Sequence, residues 1–422
     1  MVALIDNDAL QLIFEEFACG ETWKWPNAVY DADVARRPFL LAAVSRHWRS
    51  VALATTAIWT YLGFPEHATI YPKHKERLRV LVAASKSAPI DIIVALGNPE
   101  DFNATNSAEP GAEIIGTLGN LGPRWRHVQF RLPWDAVDLF RPALEGPLPN
   151  LLSLSVTTDT SLYFSLSASC LKQLYIYNEY AFFSTPTATP WHHPALVSLS
   201  TNELLIAEAL CRHNFNNLTE LCLIHKMNNP PTERLHLPRL ASLTVEDVHF
   251  LPHIHAPSLN CLGAYGGGNF DSLNLLSGFT SVETLVLYGQ LNEDIPAGLW
   301  ALSGIQFLIF RIPEQALPPS HPYFEYSISS DFFKGMSVDQ RGFTWPRLRC
   351  IRFGRPRAEM TAICERYGLL QFVQERNAEH TTSQRVARIE EIVIEHPSII
   401  MDPESAVQLA QLTTLRDEFG SL

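Results

Sequence analysis

The clearest periodicity in the chain is apolar-x-x-apolar-x-apolar, and it recurs eleven times. Its first positions are Trp125, Leu151, Leu171, Leu196, Leu218, Leu240, Leu259, Val282, Ile305, Leu348 and Ile389. The first nine are 19 to 26 residues apart; the last two steps are 43 and 41 residues. Many copies follow a proline or a small polar turn, as in LPNLLSLSV, LPRLASLTV, APSLNCLGA and WPRLRCIRF. Each unit reads as one short strand returning over a loop or helix. No unit can bury its own apolar face, so it must stack on its neighbours. The expected class is α/β, with helices first and then an irregular solenoid of parallel strands. The third apolar position fails at Thr201 and shrinks to Ala264.

A different period precedes the repeats. Leu10, Ile13, Phe14 and Phe17 predict a helix over residues 6–17, with Asp8 and Gln11 as a capping box and Gly20 as its stop. Leu40, Val44, Trp48, Val51 and Ala52 predict one helical stripe broken at Thr55 and Thr56, with Ile58, Trp59 and Leu62 as a second anchor. Residues 20–37 read as an insertion between these helices. A helix over 75–87, closed by Pro89, and a strand over 90–96 follow. Residues 97–112 read as a surface loop, and a short helix over 113–121 leads into the repeats. A helix over 358–374, with Ile363, Tyr367, Leu370 and Val373 inward, is expected in the last long step. A final helix starting at Asp402-Pro403 is expected to cover the open end of the sheet. The other long step holds an aromatic insertion with Tyr323, Phe324, Tyr326, Phe332 and Phe333.

The order Leu40-Leu41, Val44, Arg46, Trp48, Arg49, Val51-Ala52 and Trp59, preceded by Leu10-x-x-Ile13-Phe14, resembles an F-box. The layout as a whole is similar to the F-box-like families of basidiomycete fungi, where a short helix-and-strand unit and degenerate leucine-rich repeats follow the box. Two departures are the insertion at 20–37 and Leu4-Ile5-Asp6 where a Leu-Pro commonly opens the box. The resemblance implies an F-box-like helical domain over 1–64, a linking unit over 65–112 and a repeat domain over 113–422. It implies that the box docks on the Skp-family adaptor of a cullin–RING ubiquitin ligase through Leu10, Ile13, Phe14, Leu40, Val44, Trp48, Val51 and Trp59. These residues are shared, in a division the sequence leaves open, between the interface and the core beneath it. The repeats would hold a protein substrate, the chain itself being a non-catalytic receptor subunit.

Strand alternation puts a second set of residues on the concave face: Gln129 and Arg131, Tyr175 and Tyr177, Glu220, Glu246, Tyr265, Tyr288, Phe307, Arg311 and Arg352. Of these, Arg131, Tyr175, Tyr177, Tyr265, Tyr288, Arg311 and Arg352 are the candidate substrate contacts, because Tyr and Arg are enriched at binding hot spots. A plain interaction scaffold, with the helices only as a cap on the repeats, is the alternative reading.

Composition narrows the field. At 46% hydrophobic and 18% charged over 422 residues, the chain can bury a large core. A formal charge of −12 argues against a nucleic-acid surface. Seven cysteines without a CxxC pair read as reduced thiols of a cytoplasmic or nuclear protein. The N-terminus has no basic stretch before its apolar residues, and no uninterrupted apolar run reaches the length of a membrane span. His192-His193 and His253-x-His255 lack a third ligand at useful spacing, so no metal site is expected. Gly266-Gly267-Gly268 has no Lys-Ser/Thr after it and reads as a turn rather than a phosphate cradle. No cofactor motif and no Gly-x-Ser-x-Gly elbow is present; a hydrolase would need a nucleophile and base brought together by the fold. Arg341, Arg347, Arg349, Arg352, Arg355 and Arg357 form a basic cluster in an acidic chain, suited either to a solvated edge or to an acidic or phosphorylated partner.

Overall fold

The computed structural model describes residues 6–19, 30–64, 72–95, 108–132, 134–158, 166–178, 193–202, 215–224, 234–246, 248–265, 279–288, 290–291, 302–311, 327–328, 332–336, 344–354, 360–395 and 401–417. These fall into two compact units, residues 1–205 and 206–422. The expectations for Tyr323, Phe324, Tyr326, Gly266 to Gly268, His192, Arg341, Arg355 and Arg357 lie outside the described residues.

Every one of the eleven repeats forms a strand, and all of them pair in parallel within their unit. In the first unit the order is β1 (Tyr61–Phe64), β2 (Ile90–Ala95), β3 (Trp125–Leu132), β4 (Ser153–Thr158), β5 (Gln173–Asn178) and β6 (Ser198–Thr201). The second unit runs β7 (Glu220–Leu223), β8 (Ser242–Val245), β9 (Cys261–Tyr265), β10 (Thr284–Tyr288), β11 (Phe307–Arg311), β12 (Cys350–Phe353), β13 (Glu391–Ile394) and β14 (Thr414–Asp417). One strand per repeat in a single register is consistent with leucine-rich-repeat-like stacking.

The register aligns the apolar anchors into ladders. Leu62, Ile92, Val128, Leu154, Leu174 and Leu199 are successive partners in the first unit. Leu221, Leu243, Leu262, Leu285, Leu308, Ile351, Ile392 and Leu415 are their counterparts in the second. All of these are buried except Leu415, which is half-buried on the last strand. Burying such side chains contributes about 1.5–3 kcal/mol each relative to exposure, so each ladder is a continuous source of stability.

A second regularity sets the register. In ten repeats the first anchor's N–H donates to the carbonyl three residues back, as in Trp125 to Gly122, Leu151 to Leu148, Leu240 to Leu237 and Leu348 to Trp345. Proline at the second turn position pre-sets the required φ at Pro149, Pro238, Pro257 and Pro346. The residue opening each turn is buried, so the repeat carries one more core position than its strand pattern shows. His193 occupies that slot, with its Nδ1 3.3 Å from the carbonyl of Ala168 in the preceding repeat's slot.

Several element boundaries differ from the sequence reading. The stripe from Leu40 to Ala52 spans two helices, α2 (Ala32–Val44) and α3 (Arg46–Ala54). Ser45 is extended and caps α3 by accepting from the Trp48 N–H, and Pro38 is tolerated inside α2. The first helix, α1 (Asn7–Cys19), begins before Asp8, so Asp8 lies in its first turn instead of capping it. Leu62 belongs to strand β1, so the stretch 1–64 expected to be helical ends in a strand. The helix after the box, α4 (Pro72–Ser85), starts three residues early, and α5 (Ala108–Gly119) starts five early. A further helix, α6 (Trp134–Glu145), was not anticipated.

Three differences concern the C-terminal part. The helix expected over 358–374 is two, α8 (Met360–Glu365) and α9 (Leu369–Ser383), because Gly368 between them has a φ of 76°. Phe332 and Phe333, on the short helix α7 (Phe332–Met336), pack edge-on to each other and against Phe310. Helix α10 (Pro403–Leu412) starts at Asp402 as expected, the carboxylate accepting from the Ser405 N–H. It does not close the sheet, because the chain turns at Thr413 and adds β14 beside β13.

Candidate functional site

The three N-terminal helices pack on one another, and α2 also packs on β1. Helical spacing sends Leu10, Phe14 and Ala18 of α1 inward, and Phe14 meets the Trp48 ring with centroids 5.0 Å apart. Trp59 is buried on the short 3₁₀ turn Thr56–Trp59. Its indole N–H donates to the Ala52 carbonyl at 2.7 Å, and Phe39 stands edge-on to it at 5.3 Å. Satisfying that N–H is what lets so large a ring be fully buried.

Polar contacts tie this helical layer to the first strand. Asp31 caps α2 through the N–H groups of Asp33 and Val34, and its own N–H donates to the Tyr61 hydroxyl on β1. Burial pushes the Tyr61 phenol up to about 12, so it stays a neutral hydroxyl. Arg77 of α4 donates to the Ala35 carbonyl and to the Tyr30 hydroxyl.

The structure divides the eight box residues that the sequence left together. Leu10, Phe14, Val51 and Trp59 are core. Ile13, Leu40 and Val44 are exposed, Leu40 by 58% and Val44 by 60%. Trp48 lies between the two groups, half-buried against Phe14. Ile13 and Phe17 stand one turn apart on α1, as Leu40 and Val44 do on α2; Leu12 and Leu53 are exposed as well. Pattern alone misses Leu12 and Leu53, because neither lies on the stripe that defines the core. Six large apolar side chains are thus exposed on these three short helices.

The strand face opposite the apolar ladders carries the other candidates, and it is not uniformly open. In the first unit Tyr175 and Tyr177 lie on that face by register but are almost fully buried, as are Ser153, Ser155 and Thr157 beside them. Arg131 is exposed there. In the second unit Tyr265 is buried and stacks on Tyr288, its register partner, with centroids 4.9 Å apart. Gly263 makes room for this stack: a Cβ there would sit 2.5 Å from Thr244 Oγ1 and 3.0 Å from the Tyr288 ring. Glu246 is buried too. Burial of three tyrosines and Glu246 departs from the expected open tyrosine-rich surface.

On the second unit Glu220 of β7 is exposed, and from β10 to β14 the same face presents Tyr288, Phe307, Ile309, Arg311, Arg352 and Arg416, all at least partly accessible. Glu395 sits 3.5 Å from both Arg311 and Arg352, and Arg416 is 3.3 Å from Glu391. Arg349 lies over the Phe307 ring at 5.5 Å. Of the basic cluster read from sequence, Arg352 belongs to this accessible strip, and Arg347 and Arg349 are exposed before β12.

Among the described residues no group of three or more His, Cys, Asp or Glu side chains is placed to hold a metal ion, and no helix is long and apolar enough to cross a membrane. No family model matches the chain, and a comparison with curated proteins finds no match. The likeness to the F-box family therefore rests on the residues of the three helices.

Proposed function

We propose that the N-terminal helices dock on the Skp-family adaptor of a cullin–RING ubiquitin ligase, and that the repeats hold a protein substrate for it. The single observation that supports this reading is the separation of the box residues into two sets. Leu10, Phe14, Val51 and Trp59 build a core, and Ile13, Leu40, Val44, Leu12, Phe17 and Leu53 are left exposed. A helical cap serving only the repeats would bury its apolar side chains against β1 and have no use for a second, solvent-facing set. The protein then performs no bond chemistry and acts by holding its substrate near a ligase-bound conjugating enzyme.

A scaffold without ubiquitin machinery is the second reading. It is favoured by the seating of α2 and α4 on β1, the edge strand, which is what a cap does.

The experiment is a pull-down of the full chain with purified adaptor, using Leu40→Lys/Val44→Lys. Trp48→Ala is a poorer choice because it also strips a ring from Phe14. Binding by the native chain, weakened at least about tenfold in a variant that melts normally, supports the ligase reading. No binding by a folded native chain leaves the scaffold.

A further inference from the structure

On the second unit the register sets Ile309, Arg352, Val393 and Arg416 in one line across β11 to β14. Two residues further along the strands, on the same face, come Arg311, Gly354 and Glu395, with the Gly354 N–H donating to the Phe310 carbonyl and the Glu395 N–H to the Phe353 carbonyl. Gly354 has no side chain, so the Arg311 stem crosses it to reach Glu395; a Cβ at 354 would lie 3.2 Å from Arg311 Cγ. Glu395 is therefore shared by two guanidinium groups from two different strands.

The sharing is incomplete. Both contacts are 3.5 Å, longer than the 2.7–2.9 Å of a well-made charge-assisted bond. Each guanidinium has five donors in a fixed fork, and Glu395 can occupy few of them. The arginine side chains are 39% and 35% exposed while Glu395 is 16% exposed, so the guanidiniums reach solvent above the carboxylate, with Arg352 also bonded to the Cys350 side chain. With the neighbouring Arg416–Glu391 pair the strip holds three positive charges to two negative, a local positive excess on a chain whose formal charge is −12. Beside it, Ile309 and Phe307 offer half-exposed apolar surface.

We infer that this strip is a receptor for an acidic peptide segment, in which a glutamate or aspartate carboxylate of the partner is gripped by Arg311 and Arg352 above Gly354, with an adjoining apolar side chain against Ile309 and Phe307. The inference rests on the reading of the repeats as a substrate holder and names the chemistry of the substrate. A carboxylate is the group chosen because Glu395 already shows that both arginines converge on one. Glu395 acts as an internal competitor that keeps the two guanidiniums aligned in the free protein.

The test is fluorescence anisotropy with the full chain and a fluorescein-labelled peptide of alternating Glu and Leu. A Gln-for-Glu counterpart and a phosphoserine-for-Glu counterpart complete the set. The Glu peptide is expected to bind and the Gln peptide not. Arg311→Met and Arg352→Met should each weaken binding about tenfold or more, and Glu395→Gln should tighten it by removing the competitor. Each variant is checked by its melting profile, and the conservative Arg352→Lys should recover only part of the affinity, since an ammonium lacks the fork. Absence of Glu-peptide binding by both the native chain and folded Glu395→Gln overturns the inference. So does binding indifferent to both arginines, or binding of the phosphoserine peptide alone. The adaptor pull-down uses a different surface, so either result can fail without the other.

Discussion

Arg311 and Glu395 meet across two strand spacings because the residue between them is Gly354. The contact depends on a missing side chain as much as on the two charged ones. A Cβ at 354 would also press on the Phe310 carbonyl at 3.0 Å. Gly354→Val is expected to cost about 1–3 kcal/mol through this crowding and to separate Arg311 from Glu395. Urea denaturation measures the first effect, and a crystal structure of the variant the second. An unchanged midpoint would mean that the strand end yields freely.

Phe14 and Leu40 should respond in opposite ways. Phe14 is fully buried, so Phe14→Ala is expected to destabilise the chain by about 3–5 kcal/mol. Leu40→Ala should stay within about 0.5 kcal/mol of the native protein, because its side chain is already in water. Thermal melts of the two variants side by side check the division between core and surface. Equal losses would show that the exposed set also supports the fold.

Arg376 is fully buried on α9 and donates to three main-chain carbonyls, those of Thr344, Trp345 and Ala387. Its guanidinium also lies 5.7 Å from the Phe372 ring centroid. Burial draws its pKa down to about 10, so the group stays charged at neutral pH. Trp345 has a φ of 49°, a left-handed conformation that costs a non-glycine residue about 1–3 kcal/mol. Its carbonyl is one of the three that Arg376 holds. Arg376→Met is expected to lose about 3 kcal/mol or more, since it strands buried acceptors and releases this turn. Denaturant unfolding monitored by tryptophan fluorescence gives the loss. A cost below about 1 kcal/mol would contradict the role of the three bonds.

His127 supplies a pH dependence. It is half-buried on β3, with Nδ1 2.7 Å from Ser153 Oγ. Burial, with Arg126 adding to it and Asp91 opposing, lowers its pKa from the ordinary 6.5. His74 is lowered too, by burial and then by Arg77 and Lys73. The unfolded chain therefore binds protons more readily than the folded one as pH falls below 6.5. Their contribution to stability is full above that value, declines as pH falls toward the lower folded pKa, and is constant below it. His127→Gln should flatten part of this slope below pH 6.5, read from melting temperatures over a descending pH series. An identical slope in the variant would assign the effect elsewhere.

The repeat pattern, with the turns and the prolines before it, was enough to place eleven strands, because an anchor spacing of apolar-x-x-apolar-x-apolar has one economical solution: a strand stacked in parallel on its neighbours. The strands without that spacing were harder to read. β1 lies just after Trp59 at the end of the box and carries no repeat spacing, and β14 follows the helix that the sequence reads as the cap of the sheet. The break at Ser45 was equally hidden, since the two helices it separates share one apolar stripe.

Sequence by itself determined which residues are apolar and at what period, and hence the helices-then-parallel-strands architecture and the set of eight box residues. Only the tertiary structure decided which of the eight face solvent, and which tyrosines on the second strand face are buried. It alone joined Arg311, Gly354 and Glu395, which lie 43 and 41 residues apart. The physical reason is that periodicity names the face a side chain points from, whereas exposure depends on what chain elements from elsewhere lie over that face.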